Sequence, residues 1–332
     1  MTGTLERMRT ETASINGRSD APEAVRLLYI GGYTRSGSTM LNRLLATIDD
    51  HIAVGEVWHI WRVGLQENQL CGCGTPILSC PFWSEVFQVA YGGFDKVETD
   101  KMMRLWNSVQ DRKYLPYLVF PQLRSPAYAR RLERYQGILA RLYRAIQAVS
   151  GTSLIVDSSK LASFAFMLGE IDELSVDGIQ LVRDSRATAY SWKRKKLRPE
   201  VHWEQRYMEQ YSLAKSAFEW NSMHTLLELA MRRFDRNVLL RYEDLTDDPA
   251  AAIEQLARDL DARWSTPPWD ESGRGVEFGI DHTIGGNPNR FNAGKAVIRT
   301  DDAWRRDMPR WQQAAMSALT LPVLARYGYL NS

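Results

Sequence analysis

Between Gly32 and Thr39 the chain reads Gly32-Tyr33-Thr34-Arg35-Ser36-Gly37-Ser38-Thr39, a glycine-bounded loop that closes on two hydroxyls. Set between a strand and a helix, such a loop offers free backbone N–H groups to a phosphate or sulfate. The lysine of the G-x-x-x-x-G-K-[ST] pattern, which neutralises the β/γ-phosphates of a nucleoside triphosphate, is replaced here by Ser38. The loop therefore suits a ligand with fewer clustered charges than ATP, with Arg35 as its cation. That argues against a kinase or nucleoside triphosphatase. Farther along, Arg183 is followed eight residues later by Ser191. A guanidinium and a hydroxyl so spaced could converge on a second phosphate, the arginine through bidentate, charge-assisted bonds. The ordinary alternative pairs Arg183 with Asp184 or Glu243 and leaves Ser191 on a helix surface.

Two groups in Val54-Gly55-Glu56-Val57-Trp58-His59 could take a proton from a hydroxyl. Glu56 is the first candidate base and His59 its rival. Lys160 closes Val156-Asp157-Ser158-Ser159-Lys160 as a candidate cation, the alternative being a solvated lysine in the first turn of a capped helix. Cys71, Cys73 and Cys80 fall in one short segment. With His59 they would make a Cys₃His zinc set, but Cys-x-Cys is tighter than usual for zinc. A Gly-rich loop with small buried thiols or one labile disulfide is the favoured reading, and no metal ligand is assigned.

These residues need elements to hold them. Short apolar runs at Arg26–Gly31, Ser153–Asp157, Ile179–Val182 and Val238–Arg241 predict buried strands, each followed by a polar motif. Helical spacing predicts helices over Ser38–Ile48, Ala127–Val149, Trp203–Phe234 and Pro249–Leu260. The alternation implies an α/β fold with a central parallel sheet flanked by helices, whose ligand sits beyond the carboxyl ends of the strands. The absence of a repeat or low-complexity linker favours one domain over 25–332, with helical insertions around 84–150 and 200–235, behind a disordered polar leader at 1–24. At 332 residues and 44% hydrophobic, the chain can bury a large core. Its net charge of +2 gives no global pull toward nucleic acid or membrane. No apolar run reaches a membrane span and the first residues lack a secretory signal, so a cytoplasmic protein is expected. The one dense basic run, Lys193-Arg194-Lys195-Lys196-Leu197-Arg198, could attract an anionic ligand, or it is a solvated helix end. It lacks the aromatics that would suggest single-stranded nucleic acid.

Taken in order, these motifs resemble those of the sulfotransferases that use 3′-phosphoadenosine 5′-phosphosulfate (PAPS). Arg35-Ser36-Gly37-Ser38-Thr39 is similar to the family's K/R-S-G-T/S-T loop, and Arg183 with Ser191 to its second motif. Arg241-Tyr242-Glu243-Asp244-Leu245 looks like its R-Y-E-D-L stretch, and Gly286-Asn287-Pro288-Asn289-Arg290-Phe291 like a G-N-P-x-R-F loop of bacterial-type members. The first loop and the second motif look closer to tyrosylprotein and carbohydrate sulfotransferases than to phenol or steroid enzymes. The resemblance implies a P-loop-like three-layer fold and transfer of a sulfuryl group from PAPS to a hydroxyl, with no metal required. It implies that Arg35, Ser36, Gly37, Ser38 and Thr39 hold the 5′-phosphosulfate, and that Arg183, Ser191, Asn287 and Arg290 hold the 3′-phosphate. Glu56 would be the base and Lys160, or a neighbouring serine, would face the leaving oxygen. The acceptor would be a carbohydrate, lipid, phenolic metabolite or peptide tyrosine. A non-catalytic nucleotide-binding protein would bind adenosine 3′,5′-bisphosphate yet leave Glu56 dispensable.

Overall fold

The computed structural model describes residues 24–330. The leader expected at 1–24 lies outside them, apart from Ala24. Along the chain come β1 (Val25–Gly31), α1 (Ser38–Leu45), β2 (His51–Gly55), α2 (Pro81–Tyr91), α3 (Thr99–Gln110), α4 (Leu115–Val119), α5 (Pro126–Ser150) and β3 (Leu154–Lys160). They are followed by α6 (Ala162–Leu168), β4 (Leu174–Val182), α7 (Ser185–Lys193), α8 (Leu213–Met231), β5 (Arg236–Arg241), α9 (Tyr242–Asp247) and α10 (Pro249–Asp259). The short hairpin strands β6 (Gly275–Phe278) and β7 (Gly294–Val297), then α11 (Trp304–Asp307) and α12 (Arg310–Arg326), complete the order.

β1 to β5 form one sheet in the order β2-β3-β1-β4-β5, every neighbouring pair parallel. Successive residues of a strand point to opposite faces, so the continuous apolar run of β1 serves two cores. Leu27 and Tyr29 join one with α2, α3, α5, α6 and α8. Leu28 and Ile30 join the other with α1 and α10. Three layers result, as the sequence predicts. In α1, Leu41, Leu44 and Leu45 are fully buried. At about 1.5–3 kcal/mol per buried leucine side chain, this packing fixes the helix whose first turn closes the Gly32–Thr39 loop.

The predicted strands all form, and β3 and β4 are longer than their apolar runs. The sequence reading passes over β2, whose five residues include only a three-residue apolar stretch. The helix expected from Trp203 begins at Leu213, where the Ser212 side chain caps it by accepting from the Lys215 N–H. Residues before it fold back instead: Met208 N–H donates to the Lys196 carbonyl and Arg198 N–H to the Arg206 carbonyl, each at 2.8 Å.

Candidate functional site

The sheet order places the chemistry. Because all five strands are parallel, their carboxyl ends share one edge, and the residue that follows each strand falls in register with its neighbours. Across that edge stand Glu56 after β2, Lys160 at the end of β3, the Gly32–Gly37 loop after β1, Arg183 after β4 and Tyr242 after β5. A carboxylate–ammonium pair thus flanks one side of the loop and a guanidinium the other.

On the guanidinium side, Arg183 is buried and donates through Nη1 to the Arg35 carbonyl at 3.2 Å. Its plane lies over the Tyr242 ring at 4.3 Å, while Arg35 lies over Trp192 at 4.9 Å. Burial first, and then the charge of Arg183, press the Arg35 guanidinium below its ordinary pKa. Two cations held this close favour an anion between or beside them. Buried Nε and Nη2 of Arg35, Nε of Arg183 and Oγ of Ser36 have no hydrogen-bond partner among the described residues. Such orphaned donors are the complement of phosphate or sulfate oxygens. Gly37, the N-cap of α1, adopts φ 95° and brings no capping side chain, so no N-cap side chain competes with a ligand for the first N–H groups of α1. A Cβ at Gly37 would sit 2.6 Å from the Tyr242 ring, which couples the loop to the Arg241–Leu245 motif. Arg183 Nη2 donates to the Asp301 carbonyl at 2.7 Å, and the Asp301 carboxylate pairs with both Arg183 and Arg194 at 3.3 Å. Asp301, rather than Asp184 or Glu243, is therefore the acidic partner of Arg183. Ser191 lies half-buried on α7.

On the other side, Glu56 is buried and accepts from Lys160 Nζ through Oε1. His59 Nε2 stands 3.7 Å from Glu56 Oε2, and the Trp58 ring lies tilted at 41° against the His59 ring. Burial, followed by the nearby charges of Arg62, Lys160 and Arg198, holds the His59 pKa well below its ordinary value, so the imidazole is neutral at pH 7. Beneath the pair, Asp157 is fully buried; it accepts from Tyr143 Oη at 2.5 Å and from the Ser159 N–H at 2.6 Å. Burial lifts its pKa to about 6.

Residues 279–292 cover this edge. Ile284 pairs with β2 through main-chain bonds to Val54 and Glu56, at 3.0 and 2.6 Å. The Asn287 N–H donates to Thr39 Oγ1 at 3.0 Å, joining the far motif to the first loop. Lys196 Nζ donates to the side-chain oxygens of Asn287 and Asn289, at 2.6 and 3.0 Å. Burial, then Arg35 and Arg194, lower the Lys196 pKa, which sets this lysine within the same cationic field. Arg43 of α1 donates to the carbonyls of Asn289, Asn292 and Gly279 and pairs with Asp281 at 3.0 Å. Arg290 is buried with its terminal nitrogens on the carbonyls of Gly285 and Leu70. These bonds close its own loop, and its buried Nε has no hydrogen-bond partner among the described residues.

The residues expected from sequence gather as two groups joined by the first loop. Arg35 meets Arg183, Glu56 meets Lys160, and Thr39 meets Asn287. The set joining His59 to the three cysteines does not form. His59 follows β2 beside Glu56, and the imidazole among the cysteines is His282. Lys196, Asp301 and Arg43 were not singled out by the sequence. Only the basic run hinted at the first, and nothing local marked the other two. Trp61 and Trp220 are buried in the core with their indole N–H groups on Tyr135 Oη and the Arg183 carbonyl.

Among solved structures, the sulfotransferase domain from the Synechococcus PCC 7002 olefin synthase is similar to this chain with a TM-score of 0.51 at 18% identity, covering 94% of this chain and 98% of that one. This likeness concerns the fold. The sulfotransferase domain from the curacin biosynthetic pathway gives a TM-score of 0.48 at 15% identity, over 94% of this chain and 99% of that one. Sulfotransferase STF9 from Mycobacterium avium gives 0.41 at 15%, over 74% and 65%. No curated protein matches the chain in sequence. Residues 28–266 match the model described as the sulfotransferase family, a stretch that runs from β1 through α10 and carries both sides of the strand-end edge. The chain belongs to the sulfotransferase family.

Proposed function

We propose that the protein transfers the sulfuryl group of PAPS to an acceptor hydroxyl, giving a sulfate ester and adenosine 3′,5′-bisphosphate. The observation that supports this most is the division of the strand-end edge: orphaned guanidinium donors of Arg35 and Arg183 on one side of the loop, a buried Glu56–Lys160 pair on the other. PAPS supplies an activated sulfuryl group on a nucleotide with two separate phosphates, which suits two modest cationic sites better than one lysine-and-metal clamp.

In this reading the backbone of Arg35 to Thr39 and the Arg35 side chain bind the 5′ end. Arg183 and Ser191 bind the 3′-phosphate, with Lys196 adding charge and the Asn287 loop, held shut by Arg290, closing over it. Glu56 accepts the acceptor's proton as the oxygen–sulfur bond forms. Lys160, already buried at hydrogen-bond range of Glu56, donates toward the bridging oxygen as its bond to sulfur breaks, which stabilises charge where it develops. The transfer itself calls for no metal, because lysine, arginine and backbone N–H groups supply the positive field. The acceptor is a small molecule, glycan or peptide whose carbohydrate, lipid, phenolic or tyrosine hydroxyl reaches Glu56 beside the aromatic surface of Trp58. We place the reaction in the cytoplasm, since Cys71, Cys73 and Cys80 form no disulfide.

The test is PAPS labelled in its sulfuryl group, incubated with cell extract and the protein, with mass spectrometry of the product. Label should pass to a hydroxyl compound with wild-type protein and stay on the donor with Glu56→Gln. Transfer that persists undiminished in Glu56→Gln would move the base elsewhere.

A further inference from the structure

Cys71, Cys73, Cys80 and His282 present three sulfurs and one ring nitrogen that all lie within 4.8 Å of one another. The Sγ–Sγ separations are 3.6 Å for Cys80–Cys71 and 3.7 Å for Cys73–Cys80. His282 Nδ1 stands 3.2 Å from Cys80 Sγ and 3.8 Å from Cys71 Sγ. A disulfide would bring two sulfurs to about 2.0 Å and leave the third thiol and the imidazole outside it. A tetrahedral zinc ion with bonds of about 2.3 Å to sulfur and 2.0–2.1 Å to nitrogen implies edges of about 3.8 Å between sulfurs and 3.6 Å from sulfur to nitrogen. The two sulfur–sulfur spacings fall just short of that edge, by about 0.2 Å or less, and the two sulfur–nitrogen spacings lie on either side of theirs.

We infer that these four side chains form a closed structural zinc site. Three thiolates and an imidazole select zinc over the hard, oxygen-seeking cations, and four protein ligands leave no open position for substrate. The surroundings are built for this. Cys71 and Cys80 are buried, while Cys73 and His282 are half-buried. The His282 ring stacks on Phe82 at 5.0 Å between centroids, and its carbonyl accepts from Trp83 Nε1 at 2.8 Å. Gly72 lets the two segments meet: its N–H donates to the Thr283 carbonyl at 3.0 Å, and a Cβ there would lie 2.1 Å from Asp281 Oδ1.

His282 lies 202 positions after Cys80, so the ion would cross-link the segment before α2 to residues 279–292. Those residues pair with Glu56 and Thr39, so the zinc would brace the strand-end edge without entering the reaction. The inference stands on the cluster alone and survives any change of donor or acceptor.

Elemental analysis of the full chain, purified under reducing conditions without a metal-binding tag, tests it. About one zinc per chain is expected, protecting all three thiols from a thiol reagent until a chelator is added. Replacing the zinc with cobalt should give the charge-transfer and visible bands of a tetrahedral thiolate site. Cys73→Ser, at the half-exposed ligand, should lower zinc affinity at least about tenfold. If that variant does not fold, the wild-type stoichiometry and cobalt spectrum decide alone. A cooperatively folded wild-type chain that carries no zinc would overturn the inference, as would a disulfide among the three cysteines.

Discussion

Arg35 and Lys160 hold left-handed backbone conformations, with φ of 72° and 68°, although neither is glycine. Such conformations disfavour ordinary side chains and persist where the surroundings over-determine them, often at functional sites. Here they aim one cation into the loop after β1 and another at Glu56. Glu56 and Lys160 are both buried, so removing either leaves its partner unpaired in a poor solvent for charge. Glu56→Gln should therefore lose about 10²–10⁴-fold in turnover, and some stability, while adenosine 3′,5′-bisphosphate still binds. His59→Gln should cost less than about tenfold, because a neutral imidazole beside a carboxylate base orients more than it transfers protons. Steady-state rates beside a calorimetric binding constant separate the two. Equal losses in both variants would instead make the pair a single unit.

At the scale of elements, the stretch 279–292 is tied to α1, β2 and the loop following α7. Arg43 alone anchors three of its carbonyls and Asp281. Arg43→Ala should destabilise the protein by about 2–4 kcal/mol in denaturant titration, since those carbonyls and a carboxylate lose a charged donor in a buried place. Asp301, shared by Arg183 and Arg194, is an internal competitor for an incoming anion. Asp301→Asn should tighten binding of adenosine 3′,5′-bisphosphate by up to about fivefold, the scale of a half-exposed ion pair. Unchanged or weaker binding would show that Asp301 helps position Arg183. Local motifs were legible at this scale because a loop's chemistry lies within a few residues of itself: Arg35–Thr39 and the β4–α7 turn could be read directly. Arg43 could not, since an arginine on a helix reads as solvated until its distant partners are known. His282 was hidden for the same reason, and the nearer His59 took its place in the expectation.

For the whole molecule, the parallel order β2-β3-β1-β4-β5 gathers residues from positions 32 to 242 on one edge. β1, β3 and β4 were legible because a strand covered on both faces is a continuous apolar run; β5, an edge strand with Leu239 exposed, showed through its Val238-Leu239-Leu240 run, whereas β2, whose three apolar residues include the small Ala53, fell below that signal. The pairing order follows from crossovers that no local pattern encodes. Under this edge sits Asp157, whose folded-state pKa of about 6 exceeds the ordinary 3.8. A raised carboxyl pKa means the fold favours the protonated form. Its contribution is full below about pH 4 and is lost as pH rises through about 6, on the order of 3 kcal/mol. Asp157→Asn keeps an acceptor for the Ser159 N–H, so the variant-minus-wild-type stability difference should rise between about pH 4 and 6. A flat difference would remove Asp157 from the pH dependence.

The two-phosphate site carries the central claim, and calorimetric titration of adenosine 3′,5′-bisphosphate reaches it without knowing the acceptor. Wild-type protein should bind the bisphosphate, and Arg183→Ala, folded by circular dichroism, should bind it at least about tenfold more weakly, as expected when a buried charged donor to phosphate is removed. Equal affinity in the two proteins would contradict the account.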